Sequence, residues 1–154
     1  MDEIDRKIVR TLQLEGRITN QELASRVGLS PSPCLRRLRG LERSGVIEGY
    51  AARVNQRSYG LPLNIFVRIK LARHDEDTVR RFEDSVGATE QILECYLITG
   101  GSDYLLHVVS ESLEAYERFM RDKLRRIPDI GAIETSFAIK QVKQRRNFPE
   151  VSPS

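Results

Sequence analysis

Residues 30–45, Ser-Pro-Ser-Pro-Cys-Leu-Arg-Arg-Leu-Arg-Gly-Leu-Glu-Arg-Ser-Gly, constrain this chain more than any other stretch. They predict a helix in which Ser30 suits the N-cap, Pro31 the first helical position and Gly45 the end. At about 100° per residue, Leu35, Leu38 and Leu41 share a buried side with Cys34. Ser32, Arg36, Arg39 and Arg43 fall on the opposite side, with Gly40 among them, and Arg37 lies about 100° off that face. An arginine face is often no more than a solvated helix surface. A short, rigid basic helix also fits a major groove, where arginines reach phosphates and guanine edges.

The preceding residues favour the second reading. Asp2–Leu14 places Ile4, Ile8, Val9 and Leu12 at helical spacing before Gly16. Thr19-Asn-Gln-Glu22 fits a capping box opening a short helix that buries Leu23, Ala24 and Val27, and Gly28 breaks it. Helix, short helix, glycine turn, basic helix is the order of a helix-turn-helix. Val46–Val54 is strand-prone and suits a wing. DNA contacts are therefore expected from Ser30, Ser32, Pro33, Arg36, Arg39 and Arg43, with Arg37 on a flanking phosphate. Residues 1–60 hold 11 basic and 7 acidic side chains, and the remainder 14 and 15. The positive excess thus sits where phosphates would be met, and its modest size suits several such domains acting together.

The composition excludes other classes. The sequence has no apolar run near the ~20 residues of a membrane span and no basic-then-apolar leader, so a cytoplasmic location is expected. Cys34 and Cys95 fall in different expected domains and read as reduced packing residues. His74 and His107 lack metal-ligand spacing. With no phosphate loop, nucleophile elbow or dinucleotide fingerprint, no enzyme, metal or cofactor is expected.

The second half changes period. Residues 1–54 form the expected DNA-binding domain, 55–62 a linker broken by Gly60 and Pro62, 63–140 a second domain and 141–154 a tail. Leu63–Leu71 alternates, with Ile65, Val67, Ile69 and Leu71 on one face. An amphipathic helix over 75–86 carries Val79, Phe82 and Val86. Strands follow over 91–99 and 104–109, around a Gly100-Gly-Ser-Asp103 turn. A helix over 113–127 is expected to bury Leu113, Tyr116, Met120, Leu124 and Ile127, and a last strand runs over 133–140. The order βαββαβ is ferredoxin-like, so the fold class is α+β, an N-terminal winged helix-turn-helix followed by a ferredoxin-like domain. Both helices cover one sheet face. Apolar residues in both phases of the second strand imply burial on both sides, which dimerisation through the open face would supply. The tail, with Lys143, Arg145, Arg146 and two prolines, reads as solvated, or as a contact with DNA or a neighbouring subunit.

These stretches together resemble the Lrp/AsnC family of transcription regulators over nearly the whole chain. The resemblance rests on Ile4-Asp-Arg-Lys-Ile8, Gly16-Arg-Ile-Thr-Asn20, Leu23-Ala-Ser-Arg-Val-Gly-Leu-Ser30, Ser32-Pro-Cys-Leu-Arg-Arg-Leu38, Leu41-Glu-Arg-Ser-Gly-Val-Ile47 and Asp103-Tyr-Leu-Leu106. It implies sheet-mediated dimers, often four to an octamer, binding double-stranded DNA at phased half-sites and bending or wrapping it. It further implies a small amino acid held between subunits by Gly100, Gly101, Ser102, Asp103 and Tyr104, with Thr135 and Ser136 meeting its carboxylate or amine. Asp103 is read either as a partner for the amine or as a residue shaping its own turn, and Thr135 and Ser136 either as contacts or as ordinary strand residues. The family turn commonly carries an acid where this chain has Gly101, which removes one partner for an amine. Two other functions fit the sequence: a ligand-independent DNA-bending protein, and a module that chiefly binds small molecules.

Overall fold

The computed structural model describes residues 1–145 and 147–149. The expectations for Arg146 and residues 150–154 lie outside the described residues. The chain divides into two compact units, one built on Met1–Arg53, with which the described residues 142–145 and 147–149 group, and one on Val54–Gln141.

The first unit has three helices, α1 (Glu3–Leu14), α2 (Asn20–Val27) and α3 (Pro31–Arg43). Local sequence explains each boundary. Asp2 caps α1 through the Asp5 amide, with the Asp5 side chain returning to the Asp2 amide. Thr19 and Glu22 make the same reciprocal pair at α2, satisfying amides that the helix leaves unbonded. Gly28 ends α2 at φ 73°, a left-handed conformation that glycine adopts without the Cβ penalty. Ile8, Leu23, Ala24, Val27, Cys34 and Leu41 are buried together, with Leu38, Leu29 and Ile47 packed around them.

The expected wing strand does not form: no strand is present between α3 and residue 63. Val46, Tyr50 and Val54 are about half exposed. A strand-prone composition makes no strand without a partner edge to bond. Tyr50 instead donates to the Glu42 carboxylate at 2.9 Å.

The second unit carries β1 (Leu63–Leu71), α4 (Glu76–Gly87), β2 (Ile92–Leu97), β3 (Tyr104–Ser110), α5 (Leu113–Asp122) and β4 (Ile130–Phe137). Its antiparallel sheet has strand order β2-β3-β1-β4. Ile65, Val67 and Ile69 of β1, Leu106 and Val108 of β3, and Phe82 of α4 are wholly buried between sheet and helices. Each such side chain contributes on the order of 1.5–3 kcal/mol by leaving water.

Three expectations are corrected here. The second helix stops at Asp122 and continues as a 3-10 turn over Leu124–Arg126, and Leu113, in its first turn, is half exposed while Phe119 is buried. The last strand begins and ends three residues earlier. Asp129, at φ 62°, turns the chain so that Ile130 pairs at once with Leu71, and the regular pairing with β1 ends at Phe137, opposite Ile65. β2 is an edge strand, so Leu93, Cys95, Tyr96 and Leu97 are exposed in the single chain, and Cys95 is not a packing residue.

Candidate DNA-reading helix and effector turn

Helix α3 presents Ser32, Arg36, Arg39 and Arg43 to solvent while Cys34 and Leu41 enter the core. None of the three arginines has a partner among the described residues. Acids three or four residues away could pair with such charges along a helix face, and none does so here among the described residues. This face holds three uncompensated guanidiniums, spread from the second turn of α3 to its last residue, Arg43. Ser30 occupies the N-cap but its side chain makes no capping hydrogen bond, leaving its hydroxyl free at the mouth of the helix, next to half-buried Pro33.

Arg37 stands apart from this face. Its guanidinium donates to Asp2 at 2.6 Å and to Asp5 at 2.9 Å. The Asp5 amide, then Arg37, hold the Asp2 carboxyl below the usual carboxylate range. Arg37 thus ties α3 to the start of α1 and fixes the angle at which the other arginines project. Asn20 adds a second tie, donating from Nδ2 to the Pro31 carbonyl at 2.9 Å. Sequence reasoning missed both links because the partners are remote along the chain.

In the second unit the Gly100–Asp103 turn joins β2 to β3. Gly100 sits at φ 116°, and a Cβ at Gly100 or Gly101 would meet nothing within 4 Å, so the turn borders open space. Asp103 is committed at both oxygens. Oδ2 accepts from the Leu71 amide at 2.7 Å, and Oδ1 lies 3.0 Å from His74 Nε2. These partners, the Leu71 amide foremost, hold its carboxyl below the ordinary range. Asp103 therefore fastens the turn to the end of β1. Tyr104 begins β3 buried, donates to Glu83 at 2.8 Å, and has its hydroxyl pushed up to about 12 by burial and by that carboxylate.

Thr135 and Ser136 are not brought together. Successive strand residues face opposite ways. Thr135 points to the helix layer and shares a 2.8 Å hydrogen bond with Tyr116, whereas Ser136, paired with Phe66, is exposed on the other face. On that open face Phe66 stacks on His107 with ring centroids 5.0 Å apart, and Phe66 and Tyr96 are 38% and 51% exposed.

The Asp103 contacts carry a pH signature. Because its folded pKa lies below the ordinary 3.8, its stabilisation is complete above that value and is lost as pH falls through the lower folded value. Asp103→Asn is expected to cost about 1–3 kcal/mol at pH 7. The difference from wild type should shrink steadily below pH 4 in urea titrations. A pH-independent difference would show that the carboxylate charge plays no part.

Among the described residues no helix is long and apolar enough to cross a membrane, and no group of three or more His, Cys, Asp or Glu is placed to hold a metal ion.

Comparison with known proteins agrees with this architecture. Residues 1–48 match the winged helix-turn-helix DNA-binding model and residues 64–148 the Lrp/AsnC ligand-binding domain. The leucine-responsive regulatory protein of Klebsiella pneumoniae is 42% identical over 144 residues, covering 94% of this chain and 88% of that protein. A Neisseria meningitidis transcriptional regulator, solved in complex with L-Met, superposes with a TM-score of 0.92 at 38% identity, covering 97% of this chain and 96% of that one. An AsnC family regulator from Agrobacterium tumefaciens gives 0.92 at 34% identity, covering 97% of both chains. With a paired DNA-reading unit and effector unit matched over almost its whole length, the chain belongs to the Lrp/AsnC family of DNA-binding transcription regulators.

Proposed function

We propose that this regulator reads DNA with the exposed face of α3 and adjusts that binding to a small amino acid held at the Gly100–Tyr104 turn. The observation that carries the reading is the set of three uncompensated arginines on one helix face. Arg36 and Arg39, near the middle of that face, reach base edges or phosphates. Arg43 and the Ser30 and Ser32 hydroxyls meet the backbone, and Pro33 fixes the helix entry. Arg37 acts indirectly, by holding α3 on α1.

The sheet face opposite the helices pairs with a second copy. Phe66, Tyr96 and Leu105 supply its apolar part, and no element of the same chain is needed there. Two copies carry two reading helices, matching half-sites about one turn of DNA apart. Further assembly of dimers, as far as an octamer, would raise the effective concentration of each helix at its site. Such a regulator works in the cytoplasm, where its DNA lies.

The effector reading draws on the open space beside Gly100 and Gly101 and on the L-Met bound by the Neisseria relative. Backbone amides of Gly101 and Ser102 offer donors for a carboxylate. Asp103 shapes the turn, and Ser136 from a neighbouring subunit supplies a further hydroxyl. Thr135 keeps its bond to Tyr116 and supports the strand that carries Ser136.

Selection of bound fragments from a random duplex pool, run with and without each of the twenty amino acids at millimolar concentration, tests this. The expected result is an enriched inverted repeat whose recovery changes with one chemical group of amino acids. Enrichment of flexible or bent sequences without a motif would favour the architectural alternative. A motif indifferent to every amino acid would remove the effector from the reading.

A further inference from the structure

The helix layer of the second unit contains a cavity of about 280 Å³ between the C-terminal turn of α4 and the α5–3-10 segment. Its size lies near the lower end of small-molecule sites, roughly 300–1,000 Å³. The floor is apolar, made by Ile92, Phe119 and Ile127, and the rim carries Lys123 and Arg126. Both rim side chains are exposed. The Arg126 guanidinium has no partner among the described residues. The Lys123 ammonium meets only the neutral Gln91 amide oxygen, at 3.5 Å.

Cations near the end of α5 are favoured by its dipole in any case. What goes further is their position over an apolar floor, with no carboxylate among the lining residues. The two hydroxyls of the lining are also committed: Ser85 donates to the Arg81 carbonyl and Thr89 to the Ser85 carbonyl, each at 2.7 Å. Neither proton is free for an anion, so the only donors of the rim side chains are positively charged.

We propose that this groove binds a short monocarboxylate with an apolar body and no ammonium group, a 2-oxo acid or a short fatty acid. Lys123 and Arg126 take the carboxylate through charge-assisted hydrogen bonds, and the floor takes the chain. A free amino acid is disfavoured, because its ammonium would lose water beside two cations and find no acid. The groove is separate from the glycine turn, and its occupancy does not depend on the amino-acid reading of that turn.

Isothermal titration of the full-length protein with 4-methyl-2-oxopentanoate, hexanoate and L-leucine tests this. Three proteins are compared: wild type, the Lys123→Gln/Arg126→Gln variant and Gly101→Asp. Wild type is expected to bind one or both of the first two. The double Gln variant should lose tenfold or more in affinity while keeping its melting temperature and DNA binding. Gly101→Asp adds a negative charge at the turn and should leave this binding unchanged. Preference for the oxo acid names the 2-oxo class, and equal binding of hexanoate names the fatty-acid class. No binding of either carboxylate, unaltered binding in the Gln variant, or loss in Gly101→Asp overturns the proposal. Leucine binding that responds only to Gly101→Asp belongs to the turn.

Discussion

Replacing Arg36 and Arg39 together with alanine is expected to weaken binding to a specific duplex by about 2–6 kcal/mol, roughly 1–3 kcal/mol for each arginine that reads a base. Both side chains are exposed and unpaired among the described residues, so the melting temperature should hardly move. Any loss of affinity is then a loss of contact rather than of fold. The two positions lie three residues apart on one helix face, close enough to share a neighbouring pair of bases, so the double variant need not equal the sum of the singles. Salt separates the possible contacts. Removing a phosphate contact lowers affinity for every sequence alike and flattens the dependence of log affinity on log salt by about one unit per contact. Removing a base contact lowers affinity only for the preferred sequence. Titrations on the selected duplex and on a scrambled one, each at three salt concentrations, distinguish the two. Unchanged affinity on both duplexes would mean that α3 does not face DNA.

Most of the architecture was legible because it follows from local rules. The capping box at Thr19 and Glu22, the left-handed Gly28 and the alternation of Ile65, Val67, Ile69 and Leu71 are short-range signals, and each appears where its spacing places it. What escaped was set by contacts across the chain. Arg37 reads as one more arginine of a basic helix until folding brings Asp2 and Asp5, 35 and 32 residues away, against it. His74 carries no signal of its own, and its partner Asp103 becomes visible only when the end of β1 meets the start of β3. The strand-prone composition of Val46–Val54 satisfies half of what a strand needs, the other half being a partner edge. The apolar residues in both phases of β2 point to burial that one copy does not provide, which is why they carry weight in the proposal of a second copy. The separation of Thr135 from Ser136 needed no structure, since a period of two puts neighbours on opposite faces.

Phe82→Ala is expected to destabilise the second unit by about 3–5 kcal/mol, the cost of removing a buried ring and leaving a cavity. Phe82 is wholly buried in the core, and its ring centroid lies 4.6 Å from that of Tyr104 at an interplanar angle of 39°. A loss of that size is a large part of the roughly 5–15 kcal/mol that holds a typical domain. Urea unfolding followed by circular dichroism measures it. Phe82→Leu, which keeps most of the volume, should cost much less, and a similar cost for both would point to the aromatic contact rather than the cavity. The effect should reach the Gly100–Asp103 turn through one residue. Tyr104 follows Asp103 directly, packs on Phe82, and bonds Glu83, the residue after Phe82. Removing the ring frees Tyr104 on one side, so the turn it anchors should lose order before the sheet unfolds. Hydrogen exchange at residues 98–104 should therefore accelerate in Phe82→Ala under conditions where the β1 amides remain protected. Equal acceleration in both segments would mean that the turn has no stability separate from the sheet.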